Sequence, residues 1–179
     1  MNKSVDYYIE KLNLQKHPEG GYFKEIYRSD EIISSNALPT YFDGDRNIST
    51  SIYFLLKSDN FSSFHRIKSD EIWHFYQGSP LTIFLILNGE IKKLLLGNNF
   101  ENGESFQQIV PKNSWFAASV NNPNSFSLIG CTVSPGFDFT DFELATRKEL
   151  FVSYPSLHEK INQFTRSWKS LFSNYFYAE

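Results

Sequence analysis

Phe64-His65-Arg66-Ile67-Lys68-Ser69-Asp70-Glu71-Ile72-Trp73-His74-Phe75-Tyr76-Gln77-Gly78 gathers two histidines, two acids and an arginine among aromatic residues and closes on a glycine. Two short β-favouring limbs, 64–67 and 71–76, flank the polar turn Lys68-Ser69-Asp70, and the pattern predicts a hairpin. Such a hairpin brings His65 and Glu71 together across the ladder, where an imidazole and a carboxylate share a proton or a metal ion. Strand alternation then turns Ile67 and Trp73 to the side of His65 and Glu71, and Arg66 and Ile72 to the other. Arg66 and Asp70 read as a surface ion pair. His74 lies three residues from Glu71 and points to the opposite face of an ideal strand, so only a bulge or twist turns it inward. It is either a second pocket base or a core histidine bonded to a backbone carbonyl.

Outward from this stretch the chain reads as a series of short strands. Upstream, Ser4 to Leu14 has helical spacing, His17-Pro18-Glu19-Gly20-Gly21 ends that helix as a turn, and Tyr22 to Arg28 alternates as a strand. Ser29 to Asp45 is a long polar loop, and Asn47 to Leu56 a β-branched strand. Downstream, strands are expected over 81–87, 91–96, 105–110, 114–120 and 125–133, with Asn88-Gly89 the clearest hairpin signal. About eight short strands with turn chemistry at each break indicate an antiparallel sandwich or barrel. Ser156 and Glu159 form a capping-box pattern, and Leu157, Ile161, Phe164, Trp168, Leu171 and Phe172 a helical stripe that packs on the β core or on a partner subunit. The expectation is one domain over residues 1–179, with a barrel core over about 20–135 and a C-terminal helix over about 156–174.

Composition narrows the class. Aromatic residues make up 17% of the chain, including eighteen Phe, which suits the inner faces of a β barrel. The formal net charge of -3 and the lack of a basic cluster argue against a nucleic-acid partner. A lone cysteine, Cys131, leaves no internal disulfide and fits a reducing compartment. No run approaches the roughly 18 apolar residues of a membrane span, and Met1 to Asp6 lacks the apolar run of a signal peptide. A soluble cytoplasmic protein is expected.

The central stretch resembles the first cupin motif, with His65 at the first histidine, Glu71 at the glutamate and Gly78 at the closing glycine. Ile67 stands where the second histidine falls. In the second motif Pro111 is present, but Asn113 takes the glycine place and Phe116 the histidine place. The blocks His17 to Phe23, Thr50 to Leu56, Phe64-His65-Arg66, Ser69 to Phe75, Val110-Pro111, Trp115-Phe116-Ala117, Gly130 to Val133 and Pro135 to Glu143 are similar to the cupin-5 group, a family of unknown function. The resemblance implies an all-β fold with flanking helices: a double-stranded β-helix or jelly-roll barrel, built as a homodimer, with its pocket inside the barrel. The family also resembles sugar-nucleotide epimerases of the rhamnose pathway in fold, which does not establish that reaction.

Candidate residues follow. His65 and Glu71, with His74 as a third, are the catalytic candidates, as a general acid–base set for isomerisation or epimerisation of a sugar or related metabolite. Glu25, Arg28, Tyr53, Phe84, Trp115 and Phe116 are the ligand-binding candidates, Arg28 as a holder of carboxylate or phosphate or as a structural salt bridge. The block 137–143 either lines the pocket or seals the barrel end. With Ile67 and Phe116 in place of two ligands, no metal cofactor is predicted; an atypical site would have to use His65, Glu71 and His74. The alternatives are a non-catalytic module holding a metabolite or nucleotide, and a metal-dependent cupin enzyme.

Overall fold

The computed structural model describes residues 3–166. Helix α1 (Val5–Lys11) is capped by the Ser4 hydroxyl, which accepts from the Tyr7 N–H. Strands β1 (Gln15–Lys16) and β2 (Tyr22–Arg28) flank the turn at residues 17–21. The segment expected as one long loop contains a small arm, in which β3 (Ile32–Ile33) pairs with β4 (Arg46–Asn47). Then come β5 (Thr50–Lys57), β6 (Phe61–Arg66), β7 (Asp70–Gly78), β8 (Leu81–Leu87) and β9 (Glu90–Leu96). They are followed by β10 (Gln107–Val110), β11 (Phe116–Val120), β12 (Phe126–Ser134), β13 (Glu143–Leu144), α2 (Arg147–Ser153) and α3 (His158–Gln163).

Two antiparallel sheets face each other. One has the order β1-β2-β5-β12-β7-β10 and the other β13-β6-β11-β8-β9. The neighbours are mostly distant in sequence, as in a jelly roll. Only β8 and β9, joined by Asn88-Gly89, form the tight hairpin that the turn residues announce.

The central stretch corrects the sequence reading. Its two limbs, β6 and β7, do not pair with each other; they lie in opposite sheets. Residues 67–69 cross from one sheet to the other, with the Ile67 carbonyl accepting from Asn113 N–H and the Ser69 hydroxyl donating to Pro135 O. Each limb gains two partner strands this way, so both of its edges are paired, which an isolated hairpin does not achieve. The side-chain alternation holds: His65, Ile67, Glu71 and Trp73 face the interior, whereas Arg66 is on the outside. Arg66 bonds Glu143 at 2.7 Å and stacks on Trp115, while Asp70 accepts from Lys112 N–H, so the expected Arg66–Asp70 pair is replaced by two longer-range contacts.

The space between the sheets is filled at one end by Leu56, Leu81, Ile83, Leu85, Leu96, Val110, Val120 and Ile129. Each such side chain contributes about 1.5–3 kcal/mol by leaving water. On the outer face of the five-stranded sheet, Phe64, Phe84, Trp115 and Ala117 receive Leu150, Ile161 and Phe164. The C-terminal stripe therefore packs on the β core through Leu157, Ile161 and Phe164; Trp168, Leu171 and Phe172 lie outside the described residues. The expected capping box at Ser156 and Glu159 is not formed, because Pro155–Leu157 is a 3-10 turn and α3 starts only at His158. A capping box exists one helix earlier, between Thr146 and Glu149.

Candidate functional site

At the other end the interior opens into a cavity of about 240 Å³. Its walls come from β2, β5, β7 and β12, the end of β6, the turn at residues 17–21 and the segment 137–142. That segment is held over the cavity by Arg46, whose Nε and Nη2 each donate to Asp141 at 2.6 Å, a buried bidentate pair.

The turn at 17–21 delivers two side chains that sequence reasoning had assigned only a scaffolding role. Gly20 and Gly21 both have positive φ, and a Cβ on Gly20 would run into the Phe61 carbonyl. This close approach lets the Glu19 carbonyl accept from Ser63 N–H at 2.9 Å and buries Glu19, which is only 5% exposed. A bulge in β6, where the register with β11 shifts between Phe116 and Ala118, allows both Ser62 and His65 to reach that carboxyl.

The resulting hydrogen-bond chain has a defined direction. His65 Nδ1 lies 2.7 Å from the Ser63 carbonyl, which only accepts, so Nδ1 carries a proton. His65 Nε2 lies 3.0 Å from Glu19 Oε2, and the Ser62 hydroxyl donates to Glu19 Oε1 at 2.7 Å. His17 accepts at Nδ1 from the Glu19 N–H at 3.4 Å. Burial lowers the pKa of His65 to about 4, and burial reinforced by His65 lowers that of His17 to about 3. Burial, with the nearby Glu71 charge, holds the Glu19 carboxyl well above the usual range. Both shifts favour the uncharged form of the pair, a carboxylic acid donating from Oε2 to a neutral imidazole Nε2, with one proton between them.

Glu71 lines the same cavity from the opposite sheet. Burial raises its pKa to about 7, with the polar groups of Trp73 and Cys131 pulling the other way. The carboxylate partner of His65 is thus Glu19, and Glu71 is a separate group across the pocket. Cys131, buried beside Glu71, has its thiol pushed well up by desolvation and the neighbouring carboxyls. Aromatic walls complete the site: Phe23, Phe54, Phe137, Phe139 and Phe142 line it, and Phe116 backs the His65 ring at 4.0 Å.

The remaining candidates scatter. Glu25 and Arg28 reach the rim, where Arg28 donates from Nε and Nη2 to the Glu25 carboxylate, from Nη1 to Asn47 and from Nη2 to the Phe137 carbonyl. Tyr53 is on the outer face of the six-stranded sheet beside Tyr76, and Phe84 and Trp115 belong to the outer cluster under the C-terminal helices. None of these three reaches the pocket. His74 also faces outward, accepting from Gln107 at 3.1 Å and lying 3.1 Å from the Thr132 hydroxyl, neither of the two roles expected for it. Of the 137–143 block, Phe137, Asp138, Phe139 and Phe142 line the cavity.

The divalent metal implied by the cupin motifs does not fit this donor set. Both His65 nitrogens are engaged, Ile67 and Phe116 are apolar, and His74 is on the far face. Among the described residues no three His, Cys, Asp or Glu side chains converge as a metal site.

Two antiparallel sheets closing on a histidine–carboxylate pocket at one end of their interior define a cupin barrel. The chain belongs to the family Cupin_5, described as cupin superfamily (DUF985), which it matches over residues 6–145. It is 34% identical over 148 residues to an uncharacterized protein of Saccharomyces cerevisiae, YML079W, covering 77% of this chain and 73% of that one. Among solved structures it is similar to protein SO0799 from Shewanella oneidensis, with 38% identity and a TM-score of 0.82 over 92% of this chain and 99% of that one. A hypothetical protein from Leishmania major shares 32% identity and a TM-score of 0.84 over 92% and 100%. No helix among the described residues is long and apolar enough to cross a membrane.

Proposed function

We propose that this cupin binds a small metabolite in the barrel pocket and moves a proton on a carbon next to a carbonyl, as in isomerisation or epimerisation. The observation that supports this reading is the opposition of two titratable groups inside one cavity: the Glu19–His65 couple on one side and Glu71 on the other. Glu71, with a pKa of about 7, is poised to act as the base. It takes the proton as the C–H bond breaks, and the electron pair moves onto the carbonyl oxygen. The Glu19–His65 couple returns a proton to the other face of that carbon in an epimerisation. In an isomerisation it protonates the carbonyl oxygen and then takes the proton of the neighbouring hydroxyl, while Glu71 gives its own proton to the former carbonyl carbon. Ser62 and the Ser63 carbonyl are positioning groups that fix the direction of the couple.

Incubation with a panel of aldoses, ketoses and keto acids in D2O, followed by proton NMR, tests the reading. Deuterium enters the carbon next to the carbonyl of one panel member, and Glu71→Gln loses that exchange. Absence of exchange with every member, or exchange unchanged in Glu71→Gln, overturns it. Binding without exchange favours the non-catalytic module. The same reading includes a homodimer, supported by exposed Ile26, Tyr27, Ile32 and Ile48 on β2 and around the β3–β4 arm. A 20.8 kDa particle in light scattering overturns that part.

A further inference from the structure

The pocket's polar lining has an uneven charge inventory. Among the described residues lining the cavity there is no lysine, and the single arginine, Arg28, sits at the rim. Four of the five Arg28 N–H groups are already donated, two of them to the Glu25 carboxylate that balances its charge, which leaves a single N–H and no two-pronged face for an anion. The interior holds two carboxyl groups, Glu19 and Glu71, against imidazoles that burial keeps neutral.

Trp73 supplies an independent observation. It lines the cavity with 1% of its surface exposed, and its indole Nε1 is near enough to the Glu71 carboxyl to pull that group's pKa down, yet it makes no hydrogen bond of full geometry among the described residues. A buried donor whose only neighbouring acceptor is poorly aligned is left short of its full hydrogen bond, and a well-placed acceptor on a ligand supplies it.

Resting on the pocket reading above, we infer that the ligand is a small uncharged polyhydroxy or hydroxycarbonyl compound, without phosphate or carboxylate, one of whose oxygens accepts from Trp73 Nε1. An anionic group inside would face two carboxyls with no free cation among the described residues lining the cavity to compensate its desolvation. A cation would find aromatic faces and Glu71, yet it brings no acceptor to the indole N–H. A hydroxyl serves both neighbours, accepting from Trp73 and donating to Glu71. The five phenylalanines lining the walls suit the C–H faces of such a molecule. A cavity of about 240 Å³ is below the roughly 300–1,000 Å³ of a drug-sized pocket, so it admits one monosaccharide-sized unit and leaves a nucleotide outside.

Matched probes at pH 7 test the charge rule by saturation-transfer NMR on the wild-type chain. The neutral set is aldopentoses, aldohexoses and 6-deoxyhexoses; the anionic set is the 6-phosphates and uronic acids of the same sugars; choline and putrescine are the cations. At least one neutral probe binds, its anionic counterparts bind tenfold or more weakly, and the cations do not compete. Titrating that neutral probe shifts the Trp73 indole N–H resonance, assigned among the three tryptophans by its loss in Trp73→Phe. Equal or tighter binding of an anion or a cation, silence of the whole neutral set, or an unmoved indole resonance overturns the inference. Neutral probes that bind without deuterium exchange would end the catalytic reading and leave this one standing. Anionic probes that bind and exchange would do the reverse.

Discussion

The two ends of the barrel interior are built from the same strands yet do opposite things. Along β5, Leu56 belongs to the aliphatic end, and Ile52 and Thr50 to the cavity; along β12, Ile129 plugs and Cys131 and Val133 line. At the aliphatic end the side chains need nothing from each other except shape. At the cavity end each polar group requires a particular partner, and these partners come from the turn at residues 17–21 and the bulged β6. The difference teaches where stability and chemistry are stored: the first end holds the sheets together, and the second spends burial on neutralising acids and bases.

The largest expected effect breaks that division directly. Leu81→Ala at the aliphatic end removes a fully buried side chain and lowers stability by about 2–5 kcal/mol. Phe139→Ala at the cavity mouth, where the ring is 55% exposed, costs about 1 kcal/mol or less. Urea unfolding of both variants checks the contrast. Equal losses would show that the cavity wall carries as much of the fold as the plug does.

Much of this was legible in the sequence and some was not, for identifiable reasons. The alternation that turns His65, Ile67, Glu71 and Trp73 inward follows from a period of two and needs no knowledge of partner strands. The Asn88-Gly89 hairpin is equally local. Which strand pairs with which is not local: β6 and β7 are separated by three residues and lie in different sheets, so a turn signal was mistaken for a hairpin. Glu19 and His65 are 46 positions apart, and no spacing rule connects them. The visible hint was an acid held between a proline and two glycines, a turn whose side chain has little freedom to reach solvent once both glycines are packed. Tyr53, Phe84 and Trp115 were misplaced because an aromatic residue on a strand serves either face equally well.

An intermediate effect sharpens the comparison through pH. Glu71 has a folded pKa of about 7 against an ordinary 4.5, so between these values the folded chain keeps a proton that the unfolded chain has lost. Its contribution therefore falls as pH rises across that window, by about 3 kcal/mol in all. His65 works the other way. Its folded pKa is about 4 against 6.5, so the unfolded chain holds the extra proton and stability rises with pH across pH 4 to 6.5. The two slopes oppose each other where they overlap. Glu71→Gln removes only the first, and its stability relative to the wild type climbs by about 3 kcal/mol from pH 4.5 to 8. Urea midpoints at four pH values across that range measure it. A difference that stays constant with pH would mean that Glu71 is as well hydrated as a surface acid, and the contrast between the two ends would weaken.

The smallest expected effect on stability is also the most specific to the cavity end. Glu19→Gln keeps the shape of the side chain. The new amide oxygen still accepts from the Ser62 hydroxyl, and the amide N–H replaces the carboxyl proton as donor to His65 Nε2. Because a neutral donor replaces a neutral donor, the unfolding free energy at pH 7 changes by about 1 kcal/mol or less. An amide, however, has no proton to give up at this pH, so the couple no longer returns one to a bound molecule, and deuterium exchange into the substrate falls to background while binding of the neutral probe persists. Had Glu19 been ionised and His65 protonated, the same substitution would strand an imidazolium in a desolvated site and destabilise the fold by about 3–5 kcal/mol. Urea unfolding thus reads out where the shared proton sits, and the exchange assay reads out whether it is used.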